Sequence, residues 1–135
     1  KSVPDYIKLS GAFPADVPSC DFIVFACALT KDNHHLFNES ILGVLKPGVR
    51  VVNVSRGPLI KESALLKGLT TGVISSAALD VFEVEPLAQT NEFLTHPKCI
   101  VGSHNGSNTI DAVIRASDEA IRLLDAMLKE GPRDE

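Results

Sequence analysis

Residues 22–27 read Phe-Ile-Val-Phe-Ala-Cys, an unbroken apolar run that is rich in β-branched and aromatic side chains. A short run of this kind, without polar alternation, is typical of a strand that is buried on both faces of a parallel sheet. The longest apolar run extends from Phe22 only to Leu29. A membrane-spanning helix needs roughly 20 such residues, so we expect a buried strand and no membrane helix.

Strand and helix patterns alternate along the rest of the chain. Further strands are predicted at residues 50–54, 73–79 and 98–101. Helices are predicted from an Asn38 cap to about Leu45, from Lys61 to Thr70 with Gly72 as the C′ glycine, and from a Ser107 or Asn108 cap to Gly131. This alternation indicates βαβ units, and the fold class is therefore α/β with a mostly parallel sheet that is covered by helices.

Composition limits the kinds of partner. The chain has 135 residues, 44% of them hydrophobic, and a formal net charge of −4. These values fit one globular domain, and the lack of a sustained Lys/Arg block argues against a nucleic-acid-binding module. We expect small molecules or proteins as partners. Cys20, Cys27 and Cys99 fit no metal-ligand spacing, so we expect no metal and interpret them as reduced core thiols of a cytoplasmic protein.

Polar residues follow three of the predicted strands. Arg56 comes after the second strand, Asp80, Glu83 and Glu85 come after the third, and His104 comes after the fourth. Ligands of open α/β sheets bind beyond the carboxyl ends of the strands. A guanidinium can bind a carboxylate bidentately, and an imidazole near a carboxylate is suited to move a proton. The pattern predicts proton transfer on a small carboxylic acid, with Arg56 holding it, His104 as acid/base, and Glu85 or Glu83 as the orienting carboxylate.

Each of these groups alone has a plainer interpretation. Arg56 is equally well a solvated turn residue, and the glutamates and the histidine taken singly are ordinary exposed loop residues. His34 and His35 precede a predicted helix cap, and we assign them no functional role. The functional hypothesis therefore depends on the joint placement of the groups at neighbouring strand ends.

Three segments carry a recognisable motif order: residues 53–60, Asn-Val-Ser-Arg-Gly-Pro-Leu-Ile, residues 77–87, Ala-Ala-Leu-Asp-Val-Phe-Glu-Val-Glu-Pro-Leu, and residues 104–106, His-Asn-Gly. These segments resemble the D-isomer-specific 2-hydroxyacid dehydrogenases, a family that includes phosphoglycerate, glycerate and D-lactate dehydrogenases. Together with smaller matches, the likeness covers roughly Cys20 to Leu128. It implies a Rossmann-like domain and hydride transfer between NAD and the C2 carbon of a 2-oxo or 2-hydroxy acid, with NADP left open.

The resemblance also implies a role for individual residues. Arg56 matches the arginine that binds the substrate carboxylate, and His104 matches the proton donor. Glu85, directly before a proline, matches the glutamate that hydrogen-bonds this histidine, which favours it over Glu83. The positions that match the cofactor site are Thr30, Val54, Asp80 and Gly106. Lys61 departs from the family, which often has Asp there, and a lysine at a helix start opposes the helix dipole.

The resemblance further implies that the chain is the second half of a doubly wound NAD-binding domain. No G-x-G-x-x-G motif precedes the strand at Phe22. We expect an irregular lead-in at residues 1–21, a partial NAD-binding domain at residues 22–130 and a tail at residues 131–135. The glycine-rich half and the substrate-binding domain would then lie outside this sequence, and the isolated chain would be inactive.

The sequence leaves two alternatives to a catalytic function open. The first is a binding module that senses the cofactor or acts as a corepressor while keeping the triad residues. The second is a remnant whose only activity is self-association, because half of a sheet has an unpaired edge. The resemblance itself implies a homodimer, since dehydrogenases of this family commonly dimerise.

Overall fold

A computed structural model describes residues 6–7 and 13–130. Of the expected lead-in it therefore describes residues 6–7 and 13–21, and the expected tail at residues 131–135 lies outside the described residues. The chain divides into two compact units, Lys1–Ser103 and His104–Glu135.

The first unit contains a parallel sheet, which agrees with the predicted α/β class. Its strands are β1 (Phe22–Phe25), β2 (Val49–Asn53), β3 (Ile74–Leu79) and β4 (Cys99–Val101), and they are hydrogen-bonded in the order β1-β2-β3-β4. Helix α1 (Glu39–Leu42) connects β1 to β2, and helix α2 (Glu62–Thr71) connects β2 to β3. Short 3₁₀ helices lie at Val17–Ser19, Gly57–Leu59 and Glu92–Leu94.

The strand at Phe22 is buried on one face rather than on two. Ile23 and Phe25 lie in the core, whereas Phe22 and Val24 are 56% and 57% exposed. The prediction of burial on both faces is therefore wrong for the described residues. The physical reason lies in the strand order: successive right-handed crossovers in one direction place their helices on the same side of a sheet. Residues of both helices belong to the core on that side, among them Ile41 and Leu65.

Local sequence signals decide where the two crossover helices begin and end. The Asn38 side chain accepts a hydrogen bond from the Ser40 amide, which confirms it as the cap of α1, although this helix ends at Leu42. Gly72 ends α2 in the left-handed region with φ of 80°, as predicted. Lys61 precedes α2 and makes a 2.8 Å ion pair with Glu39 of α1. This ion pair holds the pKa of the Glu39 carboxyl below its usual value.

The second unit is dominated by one helix, α3 (Ile110–Glu130). Thr109 Oγ1 accepts a hydrogen bond from the Ala112 amide at 3.2 Å, so the cap lies at Thr109 and the prediction of Ser107 or Asn108 is wrong. Serine, asparagine and threonine can all cap a helix, with threonine somewhat less favoured, so only the backbone geometry selects among the three adjacent candidates. The apolar stripe of α3 is exposed, with Ile110 at 79% and Leu128 at 74%. None of the helices in the described part of the chain is long and apolar enough to cross a membrane.

The three cysteines are free thiols, but they do not form part of the buried core. Cys27 is exposed, and Cys20 and Cys99 are only half-buried. Burial raises the pKa of the Cys99 thiol. Within residues 6–7 and 13–130, no group of three or more His, Cys, Asp or Glu side chains is placed to hold a metal ion.

Candidate active site

The loops after the strands begin from one common edge of the sheet. The Val54 amide donates to Phe25 O at 3.2 Å, the Asp80 amide donates to Asn53 O at 2.9 Å, and the Gly102 amide donates to Leu79 O at 2.7 Å. Each of these bonds extends the ladder by one residue beyond a strand. The segments that carry Arg56 and Glu85 therefore start side by side at the carboxyl ends of β2 and β3, where ligands of open α/β sheets bind.

Asn53 holds the turn that presents Arg56. It is the last residue of β2 and a buried polar residue, only 1% exposed. Its Nδ2 donates to Arg56 O at 3.0 Å, and its Oδ1 accepts from the Ser55 amide at 3.1 Å. The Arg56 side chain is exposed, and its Nη1 donates to Ser55 O at 2.7 Å. We did not predict a role for Asn53, although a lone polar residue at the end of an apolar strand is the signal that would have indicated one.

Gly57 brings this turn against the loop that follows β3. A Cβ atom at position 57 would overlap the carbonyl group of Phe82 and the amide nitrogen of Glu83. Only glycine permits two backbone segments to approach this closely. The Arg56 turn and the loop of residues 80–86 are consequently in direct backbone contact.

The two glutamates of that loop have different surroundings. Glu85 is exposed, and its Oε1 accepts from the Phe82 amide at 2.8 Å. Glu83 is half-buried; its Oε1 lies 2.5 Å from His35 Nε2, and its Oε2 accepts from the Glu62 amide at 2.9 Å. Both carboxylate oxygens of Glu83 are thus engaged within the first unit. His35, to which we assigned no role, has a specific charged partner.

The segment after β1 forms one wall of a cleft of about 420 Å³, and the Arg56 turn forms the other. Asn33 shapes this wall, because its Oδ1 accepts from the Thr30 amide at 2.7 Å and its Nδ2 donates to Ala28 O at 2.8 Å. Ser55 Oγ donates to Cys27 O and connects the two walls. The lining residues are Ala26, Cys27, Ala28, Leu29, Val54, Ser55 and Arg56.

Three of the predicted cofactor residues lie at these strand ends in the first unit. Thr30 and Val54 are exposed, and Asp80 is half-buried. Gly102 lies so close to Asp80 that a Cβ atom there would overlap its carboxylate. The backbone that follows β4 therefore packs directly against the Asp80 side chain that follows β3.

The remaining predicted residues belong to the second unit. His104 is exposed and has φ of 58°, a left-handed conformation that is uncommon for a non-glycine residue. The Asn105 carbonyl accepts from the Asn108 amide at 3.0 Å, which forms a turn before α3. Gly106 is exposed within this turn.

The fold and the strand-end residues define a class, the Rossmann-like α/β domains that bind ligands at the carboxyl edge of a parallel sheet. Residues 9–106 match the family model described as the D-isomer specific 2-hydroxyacid dehydrogenase NAD binding domain. This match covers most of the chain, and the chain belongs to that family.

Individual relatives agree with this assignment. The chain is 39% identical over 108 residues to D-3-phosphoglycerate dehydrogenase of Bacillus subtilis, a match that covers 80% of the chain and 20% of that protein. It is 38% identical over 109 residues to glyoxylate reductase of Thermofilum pendens, covering 81% and 32%. The chain thus spans between about a fifth and a third of the length of these relatives.

Solved structures show the same fold. The apo D-mandelate dehydrogenase of Rhodotorula graminis superposes with a TM-score of 0.71 at 31% identity, covering 76% of this chain and 30% of that one. A D-isomer specific 2-hydroxyacid dehydrogenase from Xanthobacter autotrophicus, solved in complex with NADPH and MES, gives a TM-score of 0.63 at 34% identity. This second match covers 67% of this chain and 31% of that one.

Replacing Gly57 by alanine tests the backbone contact between the two loops. We expect Gly57→Ala to lower the free energy of unfolding by about 1–3 kcal/mol or more, because the added methyl group meets backbone atoms that cannot rotate away. Urea unfolding of both proteins measures the difference. Gly43→Ala is the matched control, since a Cβ there would make only an ordinary 3.7 Å contact with Ser40 O. Equal losses in the two variants would contradict the argument.

Proposed function

We propose that this chain is the part of an NAD(H)-dependent 2-hydroxyacid dehydrogenase that holds the substrate carboxylate and supplies the acid/base groups. The observation that carries the proposal is the backbone contact at Gly57, which places the Arg56 turn beside the loop of Glu85 at the ligand-binding edge of the sheet. Membership in the NAD-binding domain family supports it, as do the dehydrogenase and reductase names of the relatives. The substrate class is a small 2-oxo or 2-hydroxy acid.

Arg56 is the proposed substrate-binding cation. Its guanidinium is exposed beside the cleft, and one of its terminal nitrogens, Nη1, donates to Ser55 O at 2.7 Å. The guanidinium has five N–H donors in a planar fork that matches a carboxylate. Because Asn53 holds the Arg56 backbone, the side chain starts from a position that is set by the sheet.

Glu85 and His104 are the proposed acid/base residues. Their order after β3 and β4, with Glu85 directly before a proline, is the support for this assignment. His104 would give a proton to the oxygen on C2 during reduction and take it back during oxidation. Glu85 is proposed as the carboxylate that orients this histidine for the proton transfer.

The described residues fit one end of a dinucleotide better than the whole of it. The cleft between the loops after β1 and β2 has a volume of about 420 Å³, and its lining includes the small side chains of Ala26 and Ala28 and the exposed Val54. This volume is within the range of about 300–1,000 Å³ that is typical of ligand sites. Thr30 is exposed in the loop after β1. Thr30, Val54, Asp80 and Gly106 are the proposed cofactor residues. When bound, the nicotinamide supplies the hydride chemistry, and these residues position it.

Titration of this chain with NADH tests the cofactor proposal. We expect weak binding, because the 135 residues contain no G-x-G-x-x-G loop to hold the pyrophosphate. NADH fluorescence is the measurement, and saturation is expected only at millimolar concentrations, on the order of a Kd of 1 mM. Tight binding by this chain would show that phosphate recognition does not require that loop.

Substitution of Arg56 tests the substrate proposal in the enzyme that contains this chain. We expect Arg56→Ala to lower kcat/KM for 2-oxo acids by about 10²–10³, because a charge-assisted bidentate contact to the carboxylate is lost. Steady-state oxidation of NADH over a panel of 2-oxo acids measures this. Arg115→Ala, which removes an exposed arginine from α3, is the control. Unchanged kinetics of the Arg56 variant would remove this residue from its assigned role.

We also propose that the protein is a homodimer that works in a reducing compartment, namely the cytoplasm. Its free cysteines support the compartment, because disulfides are rare where glutathione and thioredoxin keep thiols reduced. Val24 on β1 and Ile100 on β4, the two outer strands, are exposed apolar side chains. They support association, since large exposed apolar patches mark interaction sites.

Light scattering of the chain tests the association. We expect a mass of about twice the 14.5 kDa of one chain, and Val24→Lys should shift it toward one chain because it places a charge on the open sheet face. Val84→Lys is the matched control, since Val84 is 74% exposed in the loop after β3. A strict monomer at all concentrations would contradict the dimer.

A further inference from the structure

His35 is bonded to both loops of the candidate site. Its backbone amide donates to Pro58 O at 2.7 Å, in the turn that follows Arg56. Its imidazole Nε2 lies 2.5 Å from Glu83 Oε1, in the loop that carries Glu85. The residue has φ of 52°, so its backbone is in the left-handed region while it makes these two contacts. The β1–α1 connection thus reaches across to the ends of β2 and β3.

Glu83 is bound in turn to the start of α2, and the bonding is reciprocal. Glu83 Oε2 accepts from the Glu62 amide at 2.9 Å, and Glu62 Oε1 accepts from the Glu83 amide at 2.7 Å. Glu62 is the first residue of α2, so the Glu83 carboxylate satisfies an amide that has no partner within the helix. The positive end of the helix dipole further favours a carboxylate at this place. We refer to His35, Glu62 and Glu83 as the interlock.

The interlock acts on the residues that carry the proposed chemistry. Pro58 is two positions from Arg56, and Glu83 is two positions from Glu85. Between these points the two loops touch at Gly57, and the Phe82 amide is held by Glu85 Oε1. Displacement of Glu83 would therefore move the Glu85 backbone and the surface on which Gly57 rests.

We propose that His35, Glu62 and Glu83 are positioning residues that set the separation of Arg56 and Glu85. This inference rests on the proposed function, because it assigns the interlock to the same reaction. His35, Glu62 and Glu83 are half-buried, and both carboxylate oxygens of Glu83 are already bonded. These residues therefore act through the loops and not on the substrate. An error of about 1 Å in the placement of reacting groups can cost on the order of 10²-fold in rate.

The first test uses the 135-residue chain and needs no activity. His35→Asn removes the reach to Glu83 while it keeps a residue that tolerates the left-handed region. We expect amide hydrogen exchange at Glu62, Phe82 and Glu83 to become about fivefold faster or more, and the NMR signals of Arg56 and Glu85 to shift. His96→Asn, another half-buried histidine in the first unit, is the control. Changes confined to residues 33–37, with exchange at Glu62, Phe82 and Glu83 unchanged, would overturn the interlock.

The second test measures kinetics in the enzyme that contains this chain. We expect His35→Asn to lower kcat/KM for a 2-oxo acid by about 10- to 100-fold, with the Kd for NADH unchanged. Glu62→Ala should have a similar effect, whereas Glu62→Gln should restore activity, because its amide oxygen can still accept from the Glu83 amide. If the role were purely structural, His35→Asn and Glu62→Ala would lower the free energy of unfolding, and Glu62→Gln would not restore kcat/KM.

The two tests separate the inference from the proposed function. If Arg56→Ala lowers kcat/KM by about 10²–10³ and His35→Asn leaves kcat/KM unchanged, the function stands and the positioning role is overturned. If wild-type enzyme turns over no 2-oxo acid, the function fails, and the exchange and NMR measurements still decide whether the interlock holds the loops.

Discussion

The contact of Gly57 with the Phe82–Glu83 peptide is the constraint on which the carboxyl edge of the sheet depends. It joins two backbones and uses no side chain, so any residue larger than glycine at position 57 would push the two loops apart. The strands place the loops side by side, and this contact sets the closest approach of their two backbones. Arg56 and Glu85 extend from the loops on either side of it.

The polar residues around this contact are of two kinds: some hold the loop backbones in place, and others extend from the loops into solvent. Asn53, which is buried, and Glu83, which is half-buried, bond to backbone amides and carbonyls of the loops. In the described residues, no buried side-chain nitrogen or oxygen lacks a partner. Arg56 and Glu85 are exposed on top of this layer. Rigid support beneath accessible groups is the arrangement that binding sites need, because ordering costs are met during folding.

Much of the fold could be predicted from local patterns, and the site only in part. The apolar runs predicted four strands, and Asn38 and Gly72 marked helix ends, because these signals act within a few residues. The bond between His35 and Glu83 joins positions 48 apart in the chain, and no local pattern reports such a distance. The same limit applies to the open face of the sheet. A run of apolar residues shows that a strand can be buried, but which faces are covered depends on where the helices pack.

The parallel register gives the sheet a level end. Phe25, Asn53, Leu79 and Val101 are partners across all four strands, so the loops depart from a single line of residues. Side chains alternate between faces with a period of two, and Asn53 must point into the core to reach the turn beyond it. An insertion or deletion of one residue in β2 would rotate Asn53 to the open side, whereas a change of two would preserve its direction. A change of one residue is compatible with this sheet only where a register shift absorbs it, as between the Val49–Ile74 and Arg50–Ser76 pairs at the other end of β2 and β3. The loops beyond the line are free of this constraint.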